Sequence, residues 1–174
     1  MMIDYKRNMR KLIALVIAII CYFVVHEGAH WLYANSIGAF KQVNIIGIGI
    51  KVEVYRDLMS EVQLGIFCLL GSVATIIISY VLLAMTHKFL MQKSDYLRAI
   101  TYFLTIAFLV IDPLYLCVLS LFVGGGDMNG IILIAPESVV RVLSGIIAFI
   151  NVVIVFKVIV PKYKQAYQKL ESTA

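Results

Sequence analysis

Four apolar stretches, residues 12–34, 64–86, 99–123 and 139–160, constrain what this chain can fold into more than any other feature. Each lies near the roughly 20 residues that an α-helix needs to cross a hydrocarbon layer about 30 Å thick. No water reaches the backbone inside that layer, so such stretches fold as helices whose N–H and C=O groups bond internally. The composition agrees, with 62% hydrophobic and 14% charged residues, values outside the range of an ordinary soluble domain. The expected fold is an all-α membrane protein with about four transmembrane helices, one integral domain over residues 1–174, multi-pass in the cell membrane.

The basic N-terminal segment leads into an apolar run without a small-x-small cleavage site, so it reads as a retained span rather than a signal peptide. The net charge of +5 reflects membrane orientation, and no nucleic-acid partner is expected. Eleven of the fifteen basic residues fall on one side of a four-span arrangement: Lys6, Arg7, Arg10 and Lys11 before the first span, Lys88, Lys93 and Arg98 around the second connection, and Lys157, Lys162, Lys164 and Lys169 at the end. By the positive-inside rule that side, with both termini, is cytoplasmic. Cys21, Cys68 and Cys117 sit in separate apolar stretches without paired ligand spacing and read as small hydrophobes. Trp31 and several tyrosines near span ends read as membrane-interface anchors, and Arg141 and Lys157 as snorkelling side chains.

Two of the connections are informative. Between the first and second spans, Ile46, Ile48, Ile50, Val52 and Val54 alternate with Gly47, Gly49, Lys51, Glu53 and Tyr55, the period of a strand with one apolar face. One or two strands at the membrane surface, a small membrane-associated β-hairpin, are expected there. Between the third and fourth spans, GGGDMNG is followed by IILIA. Its glycines allow backbone conformations closed to other residues, and the apolar tail can return toward the membrane.

The first apolar stretch carries HEGAH, residues 26–30. On a helix His26 and His30 stand one turn apart on the same face, where both imidazoles reach a single Zn²⁺. Glu27 stands beside them as a candidate general base for a water acidified by the ion. Unpaired ionised groups inside a bilayer cost several kcal/mol each, so three neighbouring ionisable residues need a partner there: a metal ion is the favoured reading, and polar bonding between helices the alternative. Catalytic zinc commonly takes three protein ligands. Asp112 and Asp127 are the candidates for the third. On straight helices Asp112 is about 21 Å past Arg98 and His26 about 22 Å past Lys11, so their depths match. Asp127 reaches the metal only if the glycine-rich loop folds back.

HEGAHWLYANSIGAFKQVNIIGIGIKV resembles the opening of the site-two protease family of intramembrane metalloproteases, in which a β-hairpin follows the zinc-binding helix. The likeness runs from Val24 to about Val52. LLGSVATIIISYVLL resembles that family's second motif, although Gly71 is followed by Ser72 and an Asn is lacking. The resemblance favours Asp127, in GGGDMNG, as third ligand, with Gly130 three residues on; Asn129 reads either as a residue orienting Asp127 or the substrate, or as part of the turn. It implies hydrolysis of peptide bonds in single-span membrane protein substrates. The period of two over residues 46–54, by itself, suits either pairing with an unwound substrate by strand addition or an interfacial strand that covers the site. The resemblance also places the metal near the cytoplasm, whereas the charge distribution places HEGAH toward the outer face. The alternative from another class is a non-proteolytic membrane protein that binds or transports a metal ion, against which Glu27 speaks.

Overall fold

The computed structural model describes residues 2–46 and 49–171. Among these, four helices are long and apolar enough to cross a membrane: Asn8–Ser36, Glu61–Ala84, Asp95–Val123 and Glu137–Gln168. The expected all-α architecture with a hairpin after the first span is the one observed. In chain order the elements are α1 (Met2–Ser36), β1 (Phe40–Ile46), β2 (Gly49–Val54), α2 (Glu61–Ala84), α3 (Thr86–Leu90) and α4 (Asp95–Leu114). There follow α5 (Ser120–Val123), α6 (Gly126–Ile131), α7 (Glu137–Ile154) and α8 (Val160–Glu171). Wide π-type turns, Tyr115–Leu119 and Val155–Ile159, carry the third and fourth spans through without a break.

The inward face of α1 is a row at every fourth residue, in which Ala14, Ala18, Tyr22, His26, His30 and Ala34 are all buried. Residues at this spacing stack on one helix face. Opposite them, α2 buries Gly65, Cys68, Ser72, Thr75 and Ser79. Small side chains at alternating steps of three and four allow helices to approach closely where lipid supplies no hydrophobic driving force. A capping box between Ser60 and Gln63 starts α2, satisfying orphan N–H groups at its first turn.

The hairpin pairs β1 and β2 antiparallel, with Val43 opposite Val52 and a bulge between Phe40 and Gln42. Val52 is buried against Ala34 and Phe67, while Val43 and Ile45 of β1 are exposed. The alternation is therefore real in β2 from Ile50 onward; Gly47 and Ile48 lie outside the described residues.

Pro113 interrupts the third span chemically but not structurally. Proline has no N–H to give to the carbonyl four residues back, which here is that of Leu109. Asn151 from α7 supplies the missing donor, its Nδ2 lying 2.7 Å from the Leu109 oxygen, and its Oδ1 accepts from the Tyr80 hydroxyl at 2.8 Å. One amide thus ties three spans together next to Asp112. Asn151→Leu should cost about 1–3 kcal/mol by stranding buried polar groups, read as a lower unfolding midpoint in detergent with unchanged helicity. Arg141, nearer the start of α7, acts in a related way. Its guanidinium donates to the carbonyls of Leu116 and Cys117 and to the Ser120 hydroxyl while pairing with Glu137 at the start of α7, so it ties the wide turn to the beginning of the fourth span.

Candidate metal centre

Two histidine tautomers are set by what lies behind each ring. His30 Nδ1 is 2.6 Å from the carbonyl oxygen of Phe67, an acceptor only, so Nδ1 carries the proton and Nε2 presents a lone pair. His26 Nδ1 is 3.2 Å from a carboxylate oxygen of Asp112, which fixes the same tautomer. The two Nε2 atoms face each other at 3.2 Å. Asp127 closes the group, with carboxylate oxygens 3.0 Å from His26 Nε2 and 3.7 Å from His30 Nε2.

This donor set fits a divalent ion. Tetrahedral zinc with bonds of about 2.0–2.2 Å holds its ligand atoms about 3.3–3.6 Å apart, close to the separations between these three side chains. Burial alone would raise the carboxyl pKa of Asp127, but its contacts with the two imidazoles hold it well below the usual range. Glu27 stands beside them, and ligand-type atoms of His26, Glu27 and His30 lie within 4.8 Å of one another. Its Oε2 accepts the Val52 N–H of β2 at 2.8 Å, so the hairpin is docked onto the motif helix through the residue read as the base.

The loop after the third span makes this possible. Of its glycines only Gly124 has positive φ, 92°, and there the chain turns back so that α6 lies against α2, with Met128 and Ile131 buried. A Cβ on Gly130 would collide with the Cys68 side chain and stand 3.3 Å from the Leu64 carbonyl; a glycine there lets α6 approach. The Tyr115 hydroxyl donates to the Gly124 carbonyl at 3.0 Å and braces the turn. Ile131 alone of the following apolar run is buried, while Ile132, Leu133 and Ile134 remain exposed. Asn129 lines the same cleft as Asp127, its amide packed against Gly125.

The structure thus brings His26, Glu27, His30 and Asp127 together and places Asp112 behind them. The matching depth of Asp112 is real, but its carboxylate meets the far nitrogen of His26. Tyr22 donates to it at 2.8 Å and Ser72 at 3.2 Å, and Thr75 donates as well. A buried carboxylate surrounded by hydroxyl donors is satisfied without any ion, and it holds the His26 ring in place. Residues in that position usually tune metal affinity 10–100-fold. Asp112→Asn should therefore weaken the hold of this donor set on an added divalent ion by about that factor without abolishing it, measured by competition with a chromogenic chelator.

The sequence reading gave no role to the hydroxyl collar of Tyr22, Ser72 and Thr75, and singled out Gly71 only as part of the stretch LLGSVATIIISYVLL. A Cβ on Gly71 would stand 2.6 Å from His30 Nε2 and 2.7 Å from His26 Nε2, in the space between the rings. Gly71→Val should block uptake of an added divalent ion while the circular dichroism of the bundle stays helical. A cleft of about 790 Å³ opens beside the centre, lined by Glu27, His30, Asp127 and residues 50–54 of the hairpin. No protein-family model, curated protein or solved structure matches this chain.

Proposed function

We propose that this protein is an intramembrane zinc metalloprotease, similar to the site-two proteases, that hydrolyses peptide bonds of single-span membrane proteins. The observation that carries the reading is the convergence of His26 Nε2, His30 Nε2 and the Asp127 carboxylate beside Glu27, inside a bundle of membrane-length helices. His26, His30 and Asp127 would hold the ion. Bound zinc supplies Lewis acidity, polarising a carbonyl and acidifying water.

The chain's own residues supply the rest. Phe67 and Asp112 hold the two ring protons on Nδ1, so both Nε2 atoms stay available as ligands. Glu27 takes the proton of the attacking water and returns it to the departing amine. Since Oε2 is engaged by Val52, Oε1 is the atom assigned to that transfer. A substrate helix must unwind before its carbonyls are open to attack. The cleft beside β2 is where an unwound segment would lie, extended along the strand.

Reconstitution in lipid nanodiscs with a single-span test protein tests this. Cleavage that stops on chelation and resumes with Zn²⁺ is expected. Stoichiometric metal without cleavage across a panel of single-span proteins would instead favour an ion-binding or transport protein.

A further inference from the structure

At the other end of the bundle, about 24 Å along α1 from His26, a second cleft of about 440 Å³ opens between the first, third and fourth spans. Arg10, Lys11 and Lys164 line it together with the apolar side chains of Ala99, Phe103 and Val160. Charge is poorly balanced here. Arg10 and Arg98 share one carboxylate, that of Asp95, and Lys11 and Lys164 form no ion pair among the described residues. Arg98 is not itself part of the lining; it is nearly fully buried, donates to the Gln92 carbonyl at 2.9 Å, and has its guanidinium 5.8 Å from the centre of the ring of Tyr167, which does line the cleft. The Nε atoms of Arg10 and Arg98 are both buried without a hydrogen-bond partner among the described residues, although buried donors are nearly always paired.

We propose that this cleft binds the headgroup phosphate of an anionic phospholipid, with an acyl chain against Phe103 and Val160. A phosphate diester offers the acceptor oxygens that guanidinium and ammonium donors match. The cleft lies where the three spans begin or end, the depth at which a headgroup sits, and its apolar wall continues into the hydrocarbon zone. Free phosphate would use the cations and leave that wall without purpose. The same side carries eleven of the fifteen basic residues, the pattern of a cytoplasmic face, where anionic lipids attract such clusters. The site is independent of the metal centre and stands whether or not the chain is a protease.

Native mass spectrometry of the full chain, titrated with phosphatidylglycerol or phosphatidylcholine, tests it. Phosphatidylglycerol should be retained preferentially, and inorganic phosphate should not displace it. Lys11→Gln with Lys164→Gln, which spares the Asp95 pairs, should weaken retention by about 25-fold, two factors of roughly fivefold for two cations at an anionic surface. Lys88→Gln with Lys93→Gln, on the same side but outside the cleft, should change it little. Equal retention of the two lipids, displacement by inorganic phosphate, or equal losses in the two double variants would each overturn the proposal.

Discussion

Replacing Glu27 by Gln is expected to slow peptide-bond hydrolysis by about 10²–10⁴-fold while bound zinc stays at the level of the unmodified protein. The two outcomes separate because the proposal assigns the ion to His26, His30 and Asp127 and gives Glu27, whose Oε2 is engaged by Val52, the proton transfer. An amide oxygen can still accept the Val52 N–H that Glu27 Oε2 accepts at 2.8 Å, so the hairpin stays docked. What the amide cannot do is hold a proton in transit. Turnover of a single-span substrate, measured with metal content on the same preparation, reads both quantities. Undiminished cleavage would remove Glu27 from the chemistry, and parallel loss of metal would make it a ligand.

The second large effect is expected at Asp127. Asp127→Ala removes a carboxylate lying 3.0 Å from His26 Nε2 and leaves two imidazoles to hold the ion. Zinc affinity should fall by more than the roughly 10–100-fold expected of a supporting residue such as Asp112, and cleavage should fall with it. The ranking is the informative result. If Asp112→Asn loses more metal than Asp127→Ala, the carboxylate behind His26 is the true ligand and the fold of the loop changes on metal binding.

Much of this arrangement is legible in the sequence. The four spans are visible because lipid-length apolar runs have few alternative folds, and the hairpin because residues 50–54 keep a period of two. HEGAH is readable because its spacing matches a helical turn. Other parts depend on contacts between spans, and one chain read in order does not display them. Depth along a straight helix matches Asp112 to His26 and is right about their proximity, yet it cannot distinguish the two ring nitrogens. Asp127 reaches the site only through the turn at Gly124 and the close passage of Gly130 against α2. Gly71 stands out in the sequence only through a loose motif likeness, and nothing there tells that its missing side chain leaves room between the rings. Asn151 is a lone polar residue until the carbonyl freed by Pro113 is placed beside it.

Metal analysis of the purified, zinc-supplemented chain bears most directly on the claim that the HEGAH imidazoles and Asp127 clasp a divalent ion. About one zinc per chain is expected for a single site of this ligand set, falling to background in the His26→Ala with His30→Ala variant while the helical content persists. A folded chain that emerges free of metal, or one whose zinc survives loss of both histidines, would contradict the account.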